Sequence, residues 1–235
     1  MKRLKRKAIL KRTLRHMTPI HIVNARRTSA VIRRFASKVG LVYFGPVSQR
    51  DDDHRLVRGH TVSATHVDTN YCVGSLKGYD VTLVSRNDIV IDHKLKLEQR
   101  CHWLIVTIDF KSSYDIPHCY IGHSSRTSVF ASSFEQLVPL PLNTLAAYPA
   151  AFLNNYMMYA KPTHAIELES IIIPQITEVI VSHFKHASIE IEDGSIYLYI
   201  ESEHPTEVLV EKMVSNGIWL AEAIDARIAQ LQMSN

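Results

Sequence analysis

Histidine and aspartate are the residue types in this chain best suited to chemistry. There are thirteen histidines, and His54, His60 and His66 recur every six residues beside Asp51, Asp52, Asp53 and Asp68. Imidazole nitrogens and carboxylate oxygens are ligands for divalent ions, and on one continuous strand those three histidines would share a face. Gly59 interrupts the stretch, which is also long for a strand. His118, Cys119 and His123 form a second group, and His183 with His186 a third at helical spacing. None has an H-E-x-x-H or C-x-x-C spacing. Three successive aspartates followed by His54 and Arg55 suit a hard cation or a general base, yet their carboxylates diverge. A solvated loop, or a counter-charge for the basic N-terminus, fits them equally well.

Nucleophilic and nucleotide chemistry has less to stand on. Ser124, Ser125 and the three cysteines, Cys72, Cys101 and Cys119, lie in no G-x-S-x-G context. Neither G-x-x-x-x-G-K-[ST] nor G-x-G-x-x-G occurs. No cofactor is expected. Three scattered cysteines give no disulfide framework and fit a reducing compartment. No apolar run approaches the length of a membrane span, and no apolar stretch follows the basic start as in a secretory signal. A cytoplasmic protein, with peripheral membrane attachment as an option, is expected.

Charge is the strongest signal. Residues 1–50 hold fourteen Lys and Arg and no acid, so the formal net charge of +4 divides into +14 on that segment and −10 on the remainder. Lys2, Arg3, Lys5, Arg6, Lys7, Lys11, Arg12 and Arg15 place eight bases in the first fifteen residues. Such an arm suits an anionic partner, nucleic acid or an anionic membrane surface. On phosphates it would release counterions and bind with steep salt dependence. Near an anionic bilayer each base contributes about 1 kcal/mol. No aromatic residue interleaves with the bases before Phe35, which argues against stacking on single strands. A solvated tail or an organellar transit segment has the same composition, although the lysine-rich start and poor amphipathic stripe fit the latter badly.

The elements that must carry these residues read as an α+β fold: a mainly antiparallel sheet, flanking helices and a long C-terminal amphipathic helix. Residues 1–27 form the arm and 28–235 the folded domain, with 124–149, rich in Ser, Thr and Pro, as a candidate subdomain boundary. Thr18-Pro19 suggests a break, Thr28 or Ser29 an N-cap, and Gly40 the end of a helix over about 29–39. Tyr71–Gly74 and Tyr79–Ser85 suggest a hairpin turning at Ser75-Leu76-Lys77, and WLIVTIDF from Trp103 a central strand that Ile116–Ile121 pairs with. Pro174 opens a helix to about residue 185, with Ile176, Val179, Ile180 and Phe184 as its stripe. Asp193-Gly194 sits between two alternating segments, the strongest hairpin signal in the chain. From Pro205 a helix runs to about Gln230, with Leu209, Met213, Leu220, Ile224, Ile228 and Leu231 on one side and Asn216-Gly217 as a kink position. Trp103 and Trp219 read as core.

The order of these parts resembles an uncharacterised bacterial family built on a domain of unknown function. The parts are Tyr159-Ala160-Lys161-Pro162, the helix from Pro174, the segment IEIEDGSIYLYIE from Ile189 to Glu201, and the terminal amphipathic helix, with WLIVTIDF and IPHCYIG upstream. The resemblance covers about residues 30–232 and implies the α+β fold, often behind a basic or membrane-anchored N-terminal segment. This chain departs from many such proteins in having no membrane-spanning run. The family supplies no catalytic residues. The leading expectation is therefore a non-enzymatic binding or accessory module docked through its basic arm. The alternative is a metal-dependent hydrolase built on His54, His60, His66 and the neighbouring aspartates.

Overall fold

The computed structural model describes residues 19–46, 67–92, 97–124, 137–142, 148–185, 187–202 and 204–234. Among these residues nine strands form one sheet: β1 (Val42–Gly45), β2 (Val67–Leu76), β3 (Tyr79–Asp92), β4 (Leu97–Asp109), β5 (Cys119–His123), β6 (Val138–Pro139), β7 (Tyr156–Ala160), β8 (Ala187–Glu192) and β9 (Ser195–Glu201). Their spatial order is β1-β2-β3-β4-β9-β8-β5-β7-β6, and every neighbouring pair is antiparallel. Among the described residues five helices accompany it: α1 (Pro19–Val39), α2 (Ala150–Asn155), α3 (Ala165–Ile171), α4 (Pro174–His183) and α5 (Glu207–Ser234). A single 3-10 turn, Pro162–His164, leads into α3. This is the α+β architecture the sequence predicts.

Two hairpins show how turn chemistry sets the register. Asp193 and Gly194 both have positive φ, 49° and 70°, which suits the twist of the strands they join. Ile191 then faces Ile196, and Ile189 faces Leu198. Lys77 and Gly78 do the same between β2 and β3, with φ of 53° and 74°. That turn lies one residue later than Ser75-Leu76-Lys77, because the glycine occupies a turn position rather than flanking it. β4 has β3 and β9 as its neighbours. The expected pairing of Ile116–Ile121 with β4 does not occur; β5 lies between β8 and β7. The turn-directed β8–β9 hairpin inserts there, and β9 takes the place beside β4.

One sheet face is aliphatic and covered by helices. Ile32 of α1, Phe152 of α2, Leu168 of α3, Ile180 of α4 and Ile224 of α5 join Leu83, Val106, Ile121, Ile189 and Leu198 in one buried cluster. α5 packs across β4 and β9, with α1 beside it against β1 and β2. A Cβ on Gly217 would stand 2.5 Å from Ile108 Cδ1 and 2.7 Å from Leu198 Cδ1, so this glycine lets α5 press close to the sheet. The helical assignment runs unbroken through Asn216-Gly217.

Two expectations need correction. α1 begins at Pro19, not at Thr28 or Ser29, which lie in its interior. Proline is well suited to a first helical turn, and no Gly or Pro intervenes before Gly40 to make a weak capping preference decisive. Trp103 is buried, but Trp219 is 39% exposed, on the outer side of α5 between buried Ile218 and Leu220. Periodicity separates these neighbours, because consecutive helical residues lie about 100° apart. The three cysteines are buried and not joined in disulfides.

Candidate functional site

Strand alternation builds the second sheet face. In β8 and β9 the residues Ile189, Ile191, Ile196 and Leu198 belong to the helix-covered cluster. Glu190, Glu192, Tyr197 and Tyr199 therefore share the opposite face. Tyr197 and Tyr199 cluster there with Tyr71, Val84, Trp103, Ile105 and Tyr120, all buried. A carboxylate placed among them must find partners, since an unpaired buried charge costs several kcal/mol or more.

Glu190 has two such partners. Tyr199 donates its hydroxyl to Glu190 Oε2 at 2.6 Å, and His118 Nε2 lies 2.9 Å from Glu190 Oε1. His118 directly precedes β5, whose Cys119 is in register with Ile191. Its ring thereby falls opposite β8, with Nδ1 3.7 Å from Glu192 Oε1. The Glu190 side chain is fully buried, whereas His118 and Glu192 are 19% and 25% exposed. One ligand atom from each of these three residues fits within 4.8 Å of the others. Among the described residues, this set is the one with the donors and spacing to hold a divalent ion.

An adjoining cleft of about 280 Å³ is lined by Asp115, Ile116, Pro117, His118, His164, Glu167, Glu192 and Asp193. The loop before β5, the turn leading into α3 and the β8–β9 turn supply these walls. Tyr114 donates to Glu167 Oε1 at 2.5 Å, and His164 Nδ1 lies 3.3 Å from Glu167 Oε2. The first of these bonds, more than burial, raises the Tyr114 hydroxyl above its ordinary value. Four carboxylates at the lining make the cleft acidic. Chemically, the arrangement can bind a cation or fix an imidazole beside it.

A different polar pair sits near the other end of this face. Arg86 of β3 donates from Nε and Nη2 to the two carboxylate oxygens of Asp68 on β2, each at 2.7 Å. The arginine side chain is fully buried. Two parallel charge-assisted bonds hold the guanidinium in a fixed plane, an arrangement suited to structure.

At the β1–β2 end of the sheet, α1 carries the continuation of the basic N-terminus. Ile32, Phe35 and Ala36 are buried, while Arg26, Arg27, Arg33, Arg34 and Lys38 are exposed on the opposite side. Arg33 places its guanidinium 4.9 Å from the Tyr43 ring centroid, Arg34 approaches Glu207 at 3.6 Å, and Lys38 bonds Glu211. Exposed pairs of this kind contribute little to stability. Val42 and Phe44 on the adjoining edge strand β1 are 56% and 47% exposed.

The eight arm bases, Lys2 to Arg15, lie outside the described residues, as do His54, His60, His66 and Asp51 to Asp53. The expected grouping of His118, Cys119 and His123 does not form, because neighbouring strand residues face opposite ways. Cys119 belongs to the helix-side core, where burial first, and then the charge of Glu190, pushes its thiol up to about 12. His123 packs edge-on against Tyr156, a residue of that same core. His183 is exposed, and His186 lies outside the described residues. Sequence reasoning missed Glu190 and Glu192 as partners of His118, and Tyr199 as the donor to Glu190. Their signal was the alternation in Ile189–Glu201, which puts both glutamates and the tyrosine on one face.

No family model matches the chain, and no curated protein matches it in sequence. The fold is similar to the crystal structure of the mycobacterial trehalose monomycolate transport factor A, TtfA, with a TM-score of 0.55 and 10% sequence identity over 86% of this chain and 95% of that one. At that identity the likeness shows the fold. Among the described residues no helix is long and apolar enough to cross a membrane.

Proposed function

We propose that this protein is a non-enzymatic accessory module that docks on an anionic membrane surface through its basic N-terminal arm and the exposed side of α1. The observation that carries this reading is the outward row of Arg26, Arg27, Arg33 and Arg34 on a helix seated by Ile32, Phe35 and Ala36, in a segment without one acidic residue. Of these cations Arg34 faces a carboxylate, Glu207 of α5, while the helix itself carries no acid to repel lipid phosphates. Eight further bases precede it in sequence. Val42 and Phe44 are exposed on β1 at the sheet edge beside α1, on the face opposite that helix, where Phe44 packs against Tyr71. In an edge-on approach they favour a membrane over nucleic acid, since apolar side chains gain by entering the headgroup boundary while bases stay at the phosphates.

Two further considerations support an accessory role. The structural neighbour bears the name of a transport factor. The bacterial family that the C-terminal half resembles often places a basic or membrane-anchored segment before its domain.

The test is cosedimentation of the full chain with phosphatidylserine-containing and purely zwitterionic vesicles, in parallel with gel shifts on duplex DNA and single-stranded RNA. The expected result is binding to anionic vesicles alone among the lipids, weakened in an Arg26→Gln/Arg27→Gln chain. Equal binding to both vesicle types overturns the electrostatic reading. Tight gel shifts without vesicle binding would replace the membrane with nucleic acid.

A further inference from the structure

We infer that His118, Glu190 and Glu192 form a binding site for a divalent transition ion of the zinc class at the mouth of the acidic cleft. This is independent of docking through α1, which involves the other end of the sheet.

The donor set comes first. One imidazole and two carboxylates are the ligand types found in zinc sites, and the imidazole discriminates against magnesium and calcium, which prefer oxygen alone. The spacing follows. His118 Nε2 and Glu190 Oε1 are 2.9 Å apart. Two ligands about 2.1 Å from a common ion stand about 3.0 Å apart at right angles and about 3.4 Å apart in a tetrahedron. An ion can therefore bridge them from a position off the present N–O line, after a turn of the His118 ring and with little movement of either backbone. Glu192, a quarter exposed, swings a short distance to complete a three-ligand face.

Support behind the ligands is already in place. Glu190 Oε2, the oxygen turned away from His118, accepts the Tyr199 hydroxyl at 2.6 Å. Such a bond orients a ligating carboxylate and fixes which oxygen faces the ion. Glu190 and Glu192 stand two residues apart on one strand, and His118 directly precedes the neighbouring strand, whose first residue is in register with Ile191, so the backbone ladder holds the spacing. The cleft beyond, where Asp115, His164 and Glu167 also line the wall, leaves the fourth position open to water.

The test uses the full chain, stripped with a chelator, loaded with zinc alone, dialysed, and assayed for bound metal and thermal melting. The expected result is about one zinc per chain with a raised melting temperature. In Glu192→Gln and His118→Asn the affinity falls roughly tenfold or more, and in Tyr199→Phe by about tenfold. Glu192 is partly exposed, so its isosteric replacement folds, and an unchanged metal-free melting temperature verifies that. A chain with His54→Ala, His60→Ala and His66→Ala keeps its zinc. No retained zinc in the parent chain, undiminished zinc in Glu192→Gln, or loss confined to the triple histidine variant each overturns the site.

Discussion

The two faces of the sheet are built from the same strands and differ in almost everything else. On the helix side, Leu83, Val106, Ile108, Ile189, Ile191 and Leu198 pack against apolar residues of the five described helices. Such packing is non-directional, and its cost of disruption grows with the volume removed or added. On the other side are tyrosines, Trp103, Ile105, a guanidinium locked to Asp68 and a carboxylate held by Tyr199 and His118. These contacts are directional, and each loses most when one partner is removed and the other stays behind. One face holds the fold together; the other holds groups at fixed spacing.

The largest expected effect breaks that contrast at its polar end. Asp68→Ala leaves the buried Arg86 without its carboxylate and should destabilise by about 3–5 kcal/mol in urea unfolding. Replacing both residues together with well-packed apolar ones should recover most of that loss. A double replacement as damaging as the single one would mean that the pair shapes the face rather than merely neutralising a charge.

On the aliphatic face, Gly217→Ala should cost about 1–3 kcal/mol, because its new methyl meets Ile108 and Leu198 inside normal contact. The same substitution at the exposed Ser215 should be nearly neutral, and the pair of variants isolates the close approach of α5.

Alkaline pH acts on the same face. Burial pushes the Cys72 thiol from its ordinary 9.0 up to about 12, and burial followed by the Glu190 charge does the same for Cys119. The folded state thus keeps protons that the unfolded chain releases. Their contribution is complete below about pH 9 and declines as pH rises toward 12. Urea midpoints should fall over that window, with a shallower fall in Cys72→Ala/Cys119→Ala. Equal slopes in the two proteins would show that the thiols do not carry the effect.

Smallest of all is the surface pair between α1 and α5. Arg34→Ala removes a 3.6 Å contact with Glu207 at an exposed position and should change stability by less than about 1 kcal/mol. The same variant should weaken adsorption to anionic vesicles, which separates a structural role for this arginine from an electrostatic one.

Much of the helix-covered face was legible from pattern alone. Asp-Gly between alternating segments fixed the β8–β9 register, and the stripe Met213, Leu220, Ile224 and Ile228 gave the buried side of α5. The start of α1 was not, because Thr28 and Ser29 advertise a cap that the preceding residues override. Nor was the location of β5, since strand order depends on which hairpin reaches β4. For the candidate site, alternation places Glu190, Glu192 and Tyr199 together, but only the pairing of β5 with β8 brings in His118. A partner fifty or more residues distant in sequence leaves no local trace. Trp219 shows the converse: an apolar neighbourhood in sequence says little about which side of a helix a residue occupies.

The central claim is electrostatic docking by the N-terminal segment. The most direct measurement is vesicle affinity of the full chain against a full chain with Lys2, Arg3, Lys5, Arg6, Lys7, Lys11, Arg12 and Arg15 changed to Gln, each titrated from about 50 to 300 mM salt across the Debye screening range. The account predicts steep salt dependence in the parent and a weak, flattened response in the neutralised chain. Indistinguishable affinities and slopes in the two would contradict it.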